Sequence, residues 1–593
     1  HTRGVFNQAP LAARVVAIAT MVVVASVGMR ADAVELTVAP QKIELRHARQ
    51  PQSVVVGERT SSGFTVDLGG EAKFAIAQPD IASVSADGWV TPLKSGATTL
   101  QVTARGATVS IPVSVELPAE TPPTSFRHEV MPVFSKNGCN FGACHGYSLG
   151  KNGFKLSLRG QEPDADYAAV VRDSIGRRVD LTQPAESLLI TKPLGVAPHQ
   201  GGVRLRRGTL SHEILTNWVA QGAPHDSADV REVVAVSVHP AKLVLAPGAK
   251  HRLQLIATYS DGSRRDVTRL GCFAVNNELH AGVTDDGVVT GGDFGETAVV
   301  ARFERKFAAV DVIVLKESPA FVATPVPDDH IIDKLVVRKL NDLRIAPSPL
   351  TSDERFLRRV SLDLIGLQPT PAEVRAFVAD TDPQKRVKAI DRLFERPEFV
   401  DHWSLKWGDL LQNSRNVLSP SSVYLFREWI RGAVASNMPL DEFARRLLTA
   451  RGGAEDDPAA AYLSISKDVN DTVERTTQVF CGVRMLCARC HSHPLENWTQ
   501  GDYYGVASFF TQATTKVDPR QPGVQNAKLL FVNAAAGPAT NPRTSRPQPP
   551  RFLGGQEPAL ASDVDRREAY ARWLTAPENP YFARGLANRI WSY

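Results

Sequence analysis

Methionine and cysteine are both scarce in this chain, five and six among 593 residues. Charge of one sign is missing as well. The net balance is +5, and +3 once residues 1–33 are set aside, so there is no basic surplus of the kind that nucleic-acid binding requires. Beyond residue 27 no apolar run approaches the roughly 20 residues that span a bilayer, so the mature chain is expected to carry no transmembrane segment. Also missing are a nucleophile elbow, a P-loop, a dinucleotide fingerprint and a zincin helix. Without them no hydrolase or transferase is recognisable, and a redox carrier is a better expectation than an enzyme.

What is present begins with an export signal over residues 1–33. Arg3 and Arg14 precede the apolar run Val15–Val27, and Ala31, Asp32 and Ala33 supply small residues at the cleavage positions. The protein is therefore expected outside the cytoplasm, in the periplasm or at the cell surface.

One repeat is visible downstream. "VSADGWVTPLKSGATTLQV" (84–102) aligns with "VTDDGVVTGGDFGETAVVA" (283–301) at an offset of 199 residues. Asp-Gly between β-branched runs predicts a hairpin in each copy. Both copies close regions of alternating Val, Thr and Ala, which predicts two all-β sandwiches, 34–117 and 235–316. Pro-rich stretches at 117–125 and 317–329 isolate a middle module, 124–228. From 328 to 513 the pattern is helical, with capping boxes expected at Thr351/Glu354 and Thr370/Glu373 and a stop at Gly366. "DPQKRVKAIDRLF" is expected to put Val387, Ile390, Leu393 and Phe394 on one buried face. After a Pro-rich segment, 552–593 reads as the start of a further helical domain, cut before its end.

Four of the six cysteines form two close pairs, each followed at once by histidine. Cys487, Cys490 and His491 have the C-x-x-C-H spacing of a c-type haem attachment site. There two thiols add to the vinyl groups and one turn of backbone delivers an imidazole to the iron. Cys139, Cys144 and His145 repeat the arrangement as C-x4-C-H, the two extra residues lying in a loop eased by Gly138 and Gly142. No Met lies between His145 and the end of the middle module, and Met131 is too near Cys139 to reach across a ring. A sixth ligand there is expected to be His199, in the Gly- and Pro-rich loop "KPLGVAPHQGGVRLR", with His212 and His225 in reserve. The second cluster has only the remote His402 and Met438. Two other readings stand beside haem. Zinc could take Cys487, Cys490, His491 and His493, and either thiol pair could close a disulfide in an oxidising compartment.

The strings "FSKNGCNFGACHGYSLGKNGFKLSLRG" and "ESLLITKPLGVAPHQGG" resemble the cytochrome c-like modules of planctomycete exported proteins. "QVFCGVRMLCARCHSHPLENWTQGDYYGVASFF" is similar to their second cytochrome-type domain, and "NPYFARGLANRIWSY" to the opening of its usual C-terminal partner domain. The two β regions resemble bacterial Ig-like domains of the second type. The resemblance implies two Ig-like sandwiches, a small cytochrome c-like module and a mainly α-helical C-terminal region. It also implies one haem c at Cys139, Cys144 and His145 and a second at Cys487, Cys490 and His491. Cys481 departs from the family pattern and suggests a Cys481–Cys487 disulfide. The expected function is thus exported electron transfer, with a redox partner or a cell-surface component as the binding partner. The alternative is a surface structural or adhesive protein whose clusters hold zinc or disulfides. A third reading is a metal-dependent enzyme using His491, His493 and Asp502.

Overall fold

The structure, a computed structural model, describes residues 36–593 apart from 60–63, 148, 317–320, 492, 494, 495, 497, 562 and 563. The expected export signal lies outside the described residues. The N-terminal half is rich in β-sheet, interrupted by a small helical module, and the C-terminal half is mainly helical.

The repeat seen in the sequence is a repeat in space. Gly96–Ala104 and Ala107–Val115 form one antiparallel hairpin, and Gly295–Phe303 with Lys306–Val314 form its counterpart 199 residues later. Period-2 alternation buries Leu100, Val102, Ile111 and Val113 in the first copy and Val299, Ala301, Val310 and Val312 in the second. The Asp-Gly hairpins pair Ala82–Val84 with Trp89–Pro92 and Ala281–Val283 with Val288–Gly291. Gly88 and Gly287 close them at φ of +82° and +76°, where a side chain is strained.

These two β units share a sheet. Thr65–Asp67 of the first pairs in parallel with Lys242–Leu245 of the second, matching Thr65 with Leu243 and Val66 with Val244. The result is a seven-stranded sheet that runs from Leu36–Ala39 to Cys272–Val275. Edge-to-edge pairing satisfies backbone groups that an isolated edge strand leaves open. Polar groups lock the join: the Ser53 amide and the Gln52 side chain donate to Asp266 at 2.8 and 3.2 Å, and Arg252 donates to Asp87 at 2.8 Å.

The middle module packs Met131–Lys136, Pro163–Val171 and Leu210–Ala220 around fully buried Trp218. Phe126 and Tyr167 pack edge-on or tilted against one another and against that indole. The core is continuous with that of the second β unit. His128 ties the two, 2.6 Å from the Glu304 carboxylate and 2.8 Å from the Arg231 carbonyl.

In the helical half a small core of Leu357, Phe377 and Ala389 precedes a large one running from Trp407 to Leu586. The capping box at Thr370/Glu373 is formed and Gly366 ends its helix at φ +71°. At Thr351 the boundary differs: the helix Asp353–Ile365 starts one residue later, on Ser352. Val387 and Phe394 point to solvent while Ala389 and Leu393 face inward. Of the four residues expected on the buried face, Leu393 is buried and Ile390 half-buried, so Val387 and Phe394 are the two that depart from it. Helices Arg566–Leu574 and Phe582–Trp591 pack into the large core through Tyr570, Leu574 and Leu586. No helix among the described residues is long and apolar enough to cross a membrane.

Candidate functional site

The first Cys-His cluster sits at the end of Met131–Lys136. Gly138, at φ +75°, turns the chain, and the Cys139 amide bonds back to the Phe134 carbonyl at 2.8 Å. The four residues between the cysteines coil into a compact turn, with the Cys144 amide on the Phe141 carbonyl at 2.9 Å. The His145 amide returns to the Cys139 carbonyl at 3.0 Å, so the two extra residues do not separate His145 from the first cysteine. The turn leaves no room at Gly146, where a Cβ would lie 2.1 Å from the Asn140 oxygen.

His145 Nδ1–H donates to the Phe154 carbonyl at 3.1 Å, and the ring rests on Phe154 with centroids 4.5 Å apart. Arg178 stacks on Phe154 at 4.5 Å, held by the carbonyls of Ala169 and Gly153. From the opposite loop His199 Nδ1–H donates to the Gly202 carbonyl at 2.8 Å. A carbonyl can only accept, so both histidines carry a proton on Nδ1, and in a neutral ring that leaves the lone pair on Nε2. Ordered metal-ligating imidazoles are held in the same way.

The structure brings these two rings together. Their centroids are 6.3 Å apart and their planes 16° from parallel. The rings are stacked, the imidazole of one loop facing that of the other. Burial holds His145 below the usual histidine range; the Phe154 carbonyl opposes this, and His199, Arg178 and Lys192 add to it. His145 is thereby kept neutral, the form that binds iron. Cys139 is half-buried as a residue, but protein around its sulfur pushes the thiol up to about 12, with Cys144 beside it adding to the shift.

Zinc asks for three or four converging protein ligands, whereas haem iron asks for two, the thiols going to the porphyrin edge. Among the described residues no three His, Cys, Asp or Glu side chains converge as a metal-binding group. Met131 is buried near Gly160, and His225 is taken up by Tyr167 and Asp164. On the two chain segments that carry the imidazoles, Phe141, Tyr147, Leu149, Val196 and Val203 are exposed apolar side chains. Neither these nor Phe154 and Arg178 emerged from the sequence reading. The Phe and Tyr spaced around C-x4-C-H were the one available signal.

The second cluster lies on the turn Leu486–Arg489, after Gly482 at φ +68° ends the preceding helix. The Cys487 carbonyl accepts the Cys490 and His491 amides, each at 3.4 Å. The Arg489 carbonyl is held by Gln500 at 2.9 Å and Tyr504 at 3.4 Å. Cys487 and His491 are half-buried and Cys490 is exposed. His493 is nearly buried, its amide on the Trp498 carbonyl, and lines a cleft of about 260 Å³ with Trp498, Glu496, Arg127, Glu304 and Arg305. Burial holds His493 below its usual range.

Several expectations for this region meet a different structure. All six cysteines are free, and Cys481 points into the core with its sulfur 3.9 Å from the Tyr570 hydroxyl, so the Cys481–Cys487 bridge is not formed. The zinc set of Cys487, Cys490, His491 and His493 does not converge as a metal-binding group. Asp502 caps the helix Gln500–Phe510, accepting from the Thr499 amide at 2.8 Å, which commits the carboxylate proposed for a metal enzyme. His402 packs against Gly366 and Met438 against the helical core.

Residues 331–515 match the PSCyt2 family model, described as a protein of unknown function (DUF1549). PSCyt2 is a planctomycete cytochrome-type domain family. In this chain the PSCyt2 region takes in the helical half as far as the second Cys-His cluster and the aromatic helix behind it. No curated protein matches the chain.

Solved structures give only a loose likeness. The S-layer protein rSbsC(31-844) is 12% identical, with a TM-score of 0.13, over 50% of this chain and 29% of its own. SbsC domains 5-6 are 11% identical, with a TM-score of 0.21, over 48% of this chain and 97% of their own. Invasin, a bacterial integrin-binding protein, is 13% identical, with a TM-score of 0.11, over 47% of this chain and 58% of its own. The chain thus spans less than a third of the length of the first of these.

Proposed function

We propose that this is an exported, multidomain electron-transfer protein that carries haem c in its middle module. The observation that carries this reading is the pair His145 and His199, near-parallel, 6.3 Å apart, each with Nδ1–H bound to a backbone carbonyl. The Cys139 and Cys144 thiols would make the thioether links, and the two imidazoles would hold the iron. Bound there, haem supplies one-electron chemistry. The protein orients His145 through Phe154, orients His199 through Gly202, and keeps His145 neutral by burial. Cys487, Cys490 and His491 form a second attachment motif, more open to solvent. The expected leader over residues 1–33 supports a location outside the cytoplasm, where covalent haem attachment takes place, at the cell surface or in the periplasm.

The continuous seven-stranded sheet favours a second reading, a rigid surface scaffold whose partner is another surface component. One experiment separates the two. Chain produced in an export compartment with c-type maturation machinery is denatured and assayed as its pyridine haemochrome. The electron-transfer reading expects one covalent haem lost on Cys139→Ser/Cys144→Ser, and a second lost on Cys487→Ser/Cys490→Ser. A colourless chain from that host would leave the scaffold reading in its place.

A further inference from the structure

The two loops that present the imidazoles have a one-sided charge. Residues 136–161 contain Lys136, Lys151, Lys155 and Arg159, and residues 187–212 contain Lys192, Arg204, Arg206 and Arg207; neither segment has an Asp or a Glu. This stands out in a chain whose charges are otherwise nearly balanced. Lys136 is turned toward Asp286, and Lys192 reaches the Pro198 carbonyl. Lys151, Lys155, Arg204, Arg206 and Arg207 are exposed, and none forms an ion pair among the described residues.

Two of these cations lie beside the imidazole pair. Lys151 lies over the Tyr147 ring at 4.9 Å and bridges by backbone to Phe154, on which His145 rests. Arg204 donates to the Gly201 carbonyl beside His199 and lies next to Phe141 and Gly138. The same loops also expose apolar side chains, Phe141 at 42% and Val203 at 64%. Exposed apolar side chains among charges suit a protein–protein interface, whereas a polyanion needs only the charges. The two carboxylates of one haem would neutralise at most two of the five free cations.

We propose that this face docks an acidic protein, which on the haem reading given above is the electron donor or acceptor of the middle-module site. Exposed like charges act mainly by steering the encounter and setting orientation, so docking should be fast, reversible and sensitive to salt.

The test uses the full chain and plant plastocyanin as an acidic protein probe, with polygalacturonate as a polyanion of similar charge. Binding is measured at ionic strengths of about 0.01 M and about 0.15 M. The charge variant carries Lys151→Gln, Lys155→Gln, Arg206→Gln and Arg207→Gln. A control variant carries Arg355→Gln, Arg358→Gln, Arg359→Gln and Arg375→Gln, exposed on the helical half. Plastocyanin is expected to bind the chain and the control alike, to weaken about tenfold in the charge variant at low salt, and to weaken further with salt. Phe141→Ala/Val203→Ala should weaken plastocyanin and leave polygalacturonate unaffected. Equal binding to the charge variant, no binding to the native chain, or a preference for polygalacturonate with no effect of the Phe141/Val203 change would each overturn the proposal. The haemochrome of the same samples separates the two ideas. Colourless chain that still docks retains this face and discards the haem reading; haem-bearing chain that docks nothing discards this face alone.

Discussion

Replacing His199 by Ala separates a ligand from a loop residue. In the folded chain His199 makes one internal hydrogen bond, Nδ1–H to the Gly202 carbonyl at 2.8 Å, and its ring leans on Gly201. Such a bond contributes about 0.5–1.5 kcal/mol net. The side chain is only half-buried, so the loss should stay below about 2 kcal/mol, against a domain stability of about 5–15 kcal/mol. His199→Ala should therefore fold and, on the proposed haem reading, keep its full complement of covalent haem with both thiols intact. What should change is the iron. Low-spin six-coordinate spectra should give way to a high-spin signal in absorption and electron paramagnetic resonance, and added imidazole should restore the low-spin state by filling the vacated position. A purely structural histidine would show neither the spin change nor the rescue. An unchanged low-spin spectrum in the variant would refute the assignment of His199, whatever its effect on stability.

Other consequences follow from the same geometry. Gly201→Ala puts a Cβ 2.8 Å from Cε1 and 3.1 Å from Nε2 of His199, so the ring must move; a partial high-spin population without loss of covalent haem is expected. Asp166 is pushed up to about 7 by burial, against hydrogen bonds from the Ser157 amide and hydroxyl. Its folded pKa exceeds the unfolded value of about 3.9, so its contribution is present below about pH 4 and is lost as pH rises through about 7, a span of up to about 4 kcal/mol. Hydrogen exchange of Pro163–Val171 in urea should show that fall in the native chain and little of it in Asp166→Asn; a flat native profile would count against it. Cys481 is buried, its thiol pushed up to about 12 by burial, so alkylation should reach it only after denaturation. Labelling of Cys481 in the native state would show that the Tyr570 core opens.

The sequence by itself determined the parts of this protein whose physics is local. Asp-Gly between β-branched runs made the paired hairpins, since only a turn with φ > 0 closes them, and alternation of period 2 named their buried faces. Thr370 and Glu373 made a capping box because its donors and acceptors lie three residues apart. The adjacency of Cys144 with His145, and of Cys490 with His491, named both clusters, and the loop around His199 was legible from its Gly and Pro. Where the signal was not local the sequence was silent or misleading. Val387 and Phe394 face solvent because the partner helix, not their own hydrophobicity, decides which side is covered. Cys481 lies in the core because Tyr570, 89 residues away, meets it there. Only tertiary structure set His199 across from His145, 54 residues apart in the chain, and fused two sandwiches through Val66 and Val244 into one sheet. Those outcomes depend on long-range packing and edge pairing, for which no spacing in a single chain segment carries the information.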